Sequence, residues 1–406
     1  MKSIIIKSAF ALLFTAALAS AKSKPFNGFT VFHLGEPAAS ESYTGKIPHG
    51  ESAVTCLTEA DNSFVFAGTR VVKGNTPWIV CYDQNKKSVP PSYVWPLSGS
   101  VKGEMAITAL VTAADGYIYG STSRQNVLDY ALVKEIKASA YAGGHLFRFK
   151  PEPSNMKIED LGVQFQGEGI TALAIDSKRA VIYGITTPGL VFFSYSTADK
   201  KTNKAGDLGG LTILRNRYIG RAPTALVVDD SGFVYGYASK GKLFKYTPST
   251  NQITTLATAV TPTEIGGQDY DAVTAFVKSQ TGRIFGGTFL DGKIFEFFPA
   301  KGSIKPLGIT SRTGNIRSLV EKDGIIYGFT GSEKASSTLF AFNTKTGEHK
   351  AFPEFKAYFK ETTNKWVPFQ MAPMIKLKNG SFMTGENSDN GHLYLYEPES
   401  IEWAEN

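Results

Sequence analysis

The feature that most narrows what this chain can fold into is a phrase that returns along its whole length. It runs as an apolar-Thr-Ala-Leu strand, a turn, an aromatic-Gly strand, and a second aromatic strand ending at Pro or Asp. In the clearest copies, Ile107, Thr108, Ala109 and Leu110 lead to Asp115, Gly116, Tyr117, Ile118, Tyr119 and Gly120, and Pro223, Thr224, Ala225 and Leu226 lead to Ser231, Gly232, Phe233, Val234, Tyr235 and Gly236. Third strands follow in Leu146, Phe147, Arg148, Phe149 and in Leu243, Phe244, Lys245, Tyr246. The same frame lies on Thr55, Thr108, Thr171, Thr224, Thr274, Arg317 and Ala372, the last two in degenerate copies. Anchors spaced 43 to 63 residues apart match the roughly 40 to 50 of four-stranded propeller blades. No unit carries the 3.6-residue apolar period of an amphipathic helix, which excludes helical solenoids.

The expectation is an all-β, seven-bladed β-propeller of four-stranded antiparallel blades. Asp61-Asn62, Asp115-Gly116, Asp230 to Gly232, Asp323-Gly324 and Asn379-Gly380 sit where the first hairpin of a blade must turn. A fourth, outer strand ends in Leu-Gly at Leu161-Gly162, Leu208-Gly209 and Leu307-Gly308, but no such strand follows Pro398. Residues 29–35 carry that pattern, including Leu34-Gly35, so the N-terminal strand is expected to complete the last blade and close the ring. Closure removes an open sheet edge.

The chain opens as an exported protein does. Lys2 and Lys7 flank a positive start, Ala9 to Leu18 form a short apolar run, and Ala19, Ser20 and Ala21 give a small-x-small cleavage site. A signal peptide over 1–21 and a single domain over 22–406 are therefore expected, with the protein secreted or periplasmic. The run is shorter than the ~20 apolar residues of a membrane helix and nothing later approaches that length, so no membrane insertion is expected. Cys56 and Cys81 would form one disulfide if adjacent, but the repeat puts them on strands separated by another, ~9.5 Å apart. Two free, buried thiols follow, since a disulfide needs Cα atoms within ~7 Å.

With 43 basic and 36 acidic residues the charge is +7, and removal of Lys2 and Lys7 leaves a mild excess that favours anionic partners. No arginine-rich segment, helix-turn-helix or aromatic RNA-binding strand is present, so nucleic acid is not an expected partner. Ligand sites of propellers gather on the face built from the loops that lead into the innermost strand and from those between the second and third strands. His49-Gly50-Glu51, Lys102-Gly103-Glu104 and Gln166-Gly167-Glu168 fall there, as a repeated Gly-Glu that is either structural or functional. Two stretches break the repeat, which is where a repeat protein places its specificity. One is the long loop over 121–142, with Arg124 and Tyr141. The other holds Arg215, Arg217, Tyr218 and Arg221 within seven residues, suited to a carboxylated or sulfated ligand because guanidinium binds such groups bidentately. His49 and His145 are the histidine candidates. No two histidines are close in sequence, so the spacing points to no metal site and to no cofactor, and the one arrangement left open is a metal site assembled from separate blades.

The Ile-Tyr-Gly of residues 118–120 followed by Gly-His-Leu-Phe-Arg-Phe at 144–149 resembles secreted seven-bladed propellers of microbial polysaccharide degradation, the group that includes ulvan lyases and rhamnosyl-glucuronate lyases. The resemblance implies β-elimination beside a uronic acid, with an acidic polysaccharide or oligosaccharide as partner; a monomer is expected separately. On that chemistry Arg217 or Arg221 would neutralise the carboxylate, His49 or His145 would take the proton, and Tyr218 or Tyr141 would protonate the leaving oxygen. Arg215, Arg124 and Glu51 would bind substrate. Two alternatives stand beside it: a noncatalytic propeller that binds a glycan or protein, and a glycoside hydrolase with carboxylates drawn from Glu51, Glu104 and Glu168.

Overall fold

The computed structural model describes residues 30–34, 46–85, 93–124, 141–210, 212–214, 217–219, 224–238, 242–260, 264–265, 268–269, 273–289, 291–310, 314–332, 335–354, 370–388, 391–398, 401 and 403. The leader expected over 1–21 lies outside them. Strand β1 (Thr30–His33) is followed by β2 (Ala53–Glu59), β3 (Phe64–Arg70), β4 (Trp78–Asp83), β5 (Tyr93–Pro96), β6 (Ala106–Thr112), β7 (Ile118–Ser123), β8 (His145–Phe149) and β9 (Ile158–Val163). Next come β10 (Gly169–Asp176), β11 (Val181–Thr187), β12 (Val191–Ser196) and β13 (Lys201–Asp207), a ribbon of β14 (Thr212–Leu214) and β15 (Arg217–Ile219), then β16 (Leu226–Val228), β17 (Val234–Tyr237), β18 (Lys242–Thr247) and β19 (Gln252–Ala259). A second ribbon, β20 (Glu264–Ile265) and β21 (Gln268–Asp269), precedes β22 (Val273–Lys278), β23 (Ile284–Thr288), β24 (Lys293–Phe298) and β25 (Ser303–Ile309). The chain ends with β26 (Asn315–Lys322), β27 (Ile325–Ser332), β28 (Ala335–Asn343), β29 (His349–Glu354), β30 (Met371–Lys376), β31 (Phe382–Glu386) and β32 (His392–Tyr396). Two single-turn 3-10 helices, Leu97–Gly99 and Pro153–Asn155, are the helical segments among the described residues.

The architecture is an all-β propeller. Five separate four-stranded antiparallel sheets are formed by β10–β13, β16–β19, β22–β25, β26–β29, and β30–β32 with β1. Strands β2–β9 make one eight-stranded sheet, where the repeat predicts two independent ones. The join is small: Arg70 at the end of β3 pairs with Ala106 at the start of β6, and the Val71 N–H donates to the Met105 carbonyl at 2.8 Å. Backbone groups that converge there satisfy each other.

The repeated phrase has a local cause at each of its residues. In β2, β6, β10, β22 and β26 the register with the neighbouring strand slips at Thr55, Thr108, Thr171, Thr274 and Arg317 respectively. The anchor of the repeat is therefore a β-bulge, which interrupts the ladder and re-aims groups beside it. Thr108 Oγ1 donates to the Ile170 carbonyl at 2.6 Å and Thr274 Oγ1 to that of Ile316 at 2.6 Å, while Thr55 Oγ1 reaches the carbonyl of Ile107 at 2.5 Å. Each bond ties one innermost strand to the next. The aromatic-Gly step answers to close approach: Gly120, Gly184, Gly236, Gly286 and Gly328 face Phe147, Phe193, Phe244, Phe295 and Phe340 across the strand pair. A Cβ at Gly236 would lie 2.6 Å from the Phe244 ring and one at Gly328 2.5 Å from that of Phe340.

Buried apolar side chains form seven clusters among the described residues, each shared by two consecutive four-strand groups. One of them joins the two ends of the chain. Strand β1 pairs antiparallel with β32 from Thr30–Leu395 to His33–His392. Phe32 and Leu34, at 0% and 1% exposure, pack against Val54, Val80 and Tyr82 on one side and Met383 and Leu393 on the other. Cys56 on β2 and Cys81 on β4 are both buried and free, separated by β3 as the repeat predicts. Burial pushes the Cys56 thiol up to about 12.

Candidate functional site: the central channel

The innermost strands β2, β6, β10, β16, β22, β26 and β30 surround a cavity of 740 Å³, within the range of small-molecule sites. The repeat anchors Thr55, Thr108, Thr171, Thr224 and Thr274 line it, with Arg317 in the slot that Thr fills elsewhere. The two residues after most anchors line it too, and the second of them is apolar and turned towards the cores between sheets, as at Leu57, Leu110 and Leu319.

The mouth is built from the ends of the second strands and the beginnings of the innermost ones. Arg70 ends β3, Arg124 follows β7, Asn315 begins β26, and Gln370 and Asn387 flank β30 and β31. The Arg70 Nε donates to Asn387 Oδ1 at 2.5 Å, and the Asn387 N–H to the Gln370 carbonyl at 2.8 Å. Three arginines line this cavity and, among the described residues, no Asp or Glu does.

Carboxylates do stand behind the wall, and each holds a loop. Gly50, Gly103 and Gly167 have φ of +82°, +79° and +74°, a left-handed turn that glycine adopts without strain and that sends the following Glu inward. Glu51 is 3% exposed and accepts from the N–H groups of Asn75 and Thr76 and, at 2.7 Å, from Trp78 Nε1. Glu168 accepts from the Gly189 N–H at 2.8 Å and Thr186 Oγ1 at 2.9 Å. Glu104 accepts from the Tyr141 hydroxyl at 3.0 Å. None of the three lines the channel. The Gly-Glu repeat is a brace, and Glu51, expected to bind substrate, is committed to the 75–78 connection. Burial raises the Glu104 and Glu168 carboxyls above their ordinary value of 4.5.

The other expected site residues separate. Arg124 is exposed at the mouth, and its N–H donates to the Tyr141 hydroxyl at 3.1 Å. Burial, then the Glu104 charge, hold the Tyr141 phenol well above its usual range, so it keeps its proton. Arg124, Tyr141 and Glu104 thus form one group at the rim. His49 is exposed in the turn before β2 and does not line the cavity. His145 opens β8 with its Nδ1 2.9 Å from Asp160 on the outer strand β9, away from the channel lining. Arg217 and Tyr218 lie in the β14–β15 ribbon, paired with Leu214 and Ile213. Their side chains, and Arg215 and Arg221, fall outside the described residues.

Arg70, Arg317, Asn315, Asn387 and Gln370 were not among the expected residues. One was findable: Arg317 is the sole cation at an anchor of the repeat. Arg70 was not, because its place depends on where β3 ends. No group of three or more His, Cys, Asp or Glu among the described residues could hold a metal, and no helix among them is long and apolar enough to cross a membrane.

No family model and no curated protein matches the chain. Among solved structures it is similar to the extracellular domain of BT4673 from B. thetaiotaomicron at 14% identity and TM-score 0.57, over 92% of this chain and 40% of that one. It is also similar to virginiamycin B lyase from Staphylococcus aureus at 10% identity and TM-score 0.60, over 90% and 98% of the two chains. A chain of the Mitotic Checkpoint Complex aligns at 10% identity and TM-score 0.56, over 86% and 90%. This chain thus spans less than half the length of the first neighbour, and at such identities the likeness is one of fold alone.

Proposed function

We propose that this protein is an exported seven-bladed propeller that binds an acidic polysaccharide or oligosaccharide through carboxylates at the mouth of its central channel. The blade count reads the β2–β9 sheet as two blades, consistent with seven innermost strands around one cavity. Export rests on the leader-like residues 1–21. The observation that carries the binding function is Arg70, Arg124 and Arg317 lining one cavity without an acidic residue among its described lining. Guanidinium groups pair with carboxylates through two parallel N–H bonds, and Asn315, Asn387 and Gln370 add the neutral donors and acceptors that sugar hydroxyls need.

A second reading, β-elimination beside the same mouth, is favoured by the Tyr141 hydroxyl, which accepts the Arg124 backbone N–H and donates to Glu104. On that reading the phenol gives its proton to the leaving oxygen, the Glu104 carboxylate takes the proton from C5, and the Arg124 side chain at the cavity mouth pairs with the substrate carboxylate. The test is titration calorimetry against alginate, polygalacturonate and heparosan, with absorbance near 235 nm followed in parallel. Binding that falls ~10-fold or more in Arg317→Thr supports the first reading, since a charge-assisted bond contributes ~1.5–3 kcal/mol. A rise in absorbance lost in Tyr141→Phe adds the second. Binding unchanged in both Arg317→Thr and Arg124→Ala would move the site elsewhere.

A further inference from the structure

We infer that Asn387 is the positioning residue of the mouth: it fixes the Arg70 guanidinium with neutral oxygens, so that the pair keeps its positive charge for the ligand, an inference that rests on the binding function proposed above. Three observations carry it. The first is the geometry of the contact. Arg70 Nε donates to Asn387 Oδ1 at 2.5 Å, and Arg70 Nη2 reaches the Asn387 carbonyl at 3.5 Å. Two bonds from one edge of a planar group set its plane as well as its place. Arginine has donors only, so the amide oxygen must be the atom that faces it. Both residues line the cavity.

The second is the choice of acceptor. Arg283 uses the same edge, Nε at 2.7 Å and Nη2 at 2.9 Å, on the two carboxylate oxygens of Glu296, and Arg148 Nε donates to Glu159 at 2.7 Å. Neither of those arginines lines the channel. An arginine–carboxylate pair is neutral as a unit, whereas an arginine–amide pair carries a full positive charge. Orientation without neutralisation is what a site for anions needs. The third is how firmly the two partners are held. Arg70 ends β3 with its backbone paired to Ala53 and Ala106, and its side chain crosses to a residue 317 positions away, on the sheet that β1 completes. The Asn387 N–H donates to the Gln370 carbonyl at 2.8 Å. Its neighbour Glu386, 1% exposed, accepts from Ser388 Oγ at 2.6 Å and from the Tyr394 hydroxyl at 2.9 Å, with His392 Nδ1 2.8 Å away. The chain leaving β31 is thereby fixed, and closure of the ring brings the acceptor to the guanidinium.

The probe is trigalacturonate, titrated by calorimetry beside its methyl ester, which keeps the sugar and removes the charge. The wild type is expected to favour the acid. Asn387→Asp keeps the shape and both acceptor oxygens but makes the pair neutral. Affinity for the acid should then fall ~10-fold or more, and the acid-to-ester ratio with it, while the melting temperature holds or rises. Asn387→Ala should weaken binding of the acid ~3- to 10-fold, but less than ~2-fold in an Arg70→Gln background, because its role passes through Arg70. Asn387→Asp carries the test alone if Asn387→Ala does not fold. A merely structural role would lower the melting temperature and leave the ratio unmoved. An acid-to-ester ratio in Asn387→Asp within ~2-fold of the wild type, or equal losses from Asn387→Ala in both backgrounds, would overturn the positioning role while leaving an anionic site at the mouth. No binding of the acid by the wild type would remove both that role and the function beneath it.

Discussion

The N-terminal strand offers the sharpest test of how this ring holds together, and Phe32→Ala is the perturbation. Phe32 is fully buried, and its ring centroid lies 4.5 Å from that of Tyr82 on β4. Its other neighbours are Val54 and Val80 of the β2–β5 group and Met383 and Leu393 of β31 and β32. Truncation would remove transfer energy and leave a cavity between two sheets that β1 holds by only four residue pairs. Phe→Ala changes in cores cost ~3–5 kcal/mol, a large share of the ~5–15 kcal/mol that keeps a domain folded. The assay is urea denaturation followed by far-UV circular dichroism and by tryptophan fluorescence, with Thr30→Ala at the exposed start of the same strand as control. Coincident curves from the two probes, both shifted to a lower midpoint, are expected for Phe32→Ala, and a shift below ~0.5 kcal/mol for the control. A Phe32→Ala cost under ~1 kcal/mol would refute the reasoning, because it would mean that the seam between first and last sheets contributes little to global stability.

Thr274→Val removes the 2.6 Å bond to the Ile316 carbonyl while keeping shape, and should cost ~1–2 kcal/mol in a thermal melt. Gly286→Ala would drive a methyl into the Phe295 ring and should cost ~1–3 kcal/mol by denaturation, relieved in part by Phe295→Leu in a double-mutant cycle. Burial raises the Glu104 carboxyl above 4.5, so the folded state holds this proton where the unfolded chain releases it. Its contribution is fully present below the ordinary carboxylate range and is lost as pH rises through the raised value. Glu104→Gln should therefore gain on the wild type as pH rises above the ordinary carboxylate value of 4.5, as read from denaturation midpoints. Both thiols should resist a thiol reagent in the native protein and react after unfolding, given that Cys56 and Cys81 are 8% and 0% exposed. N-terminal sequencing of exported protein should begin at Lys22 if the leader is cut after Ala21.

The parts of this molecule that were legible in its sequence are those that the fold demands at every repeat. Thr108 and Thr274 are bulge residues whose hydroxyls tie one sheet to the next, and Gly120 and Gly286 leave room for Phe147 and Phe295. Such constraints recur because the interface between neighbouring sheets recurs, and recurrence is what a single sequence displays. The N-terminal strand was legible for the same reason, since Phe32 and Leu34 fill an outer-strand slot that no later segment fills. The proposed site fails that criterion. Glu51, Glu104 and Glu168 repeat and prove to be braces, whereas Arg70, Arg124 and Arg317 come from three different register positions and meet only around the channel. His145, read as a proton acceptor, is instead turned to Asp160 on the outer strand. In a ring of near-equivalent units, a residue that every unit shares is held by packing. A residue that replaces the shared one, as Arg317 replaces Thr, cannot make the hydroxyl bond to the next strand, so the repeat does not account for it.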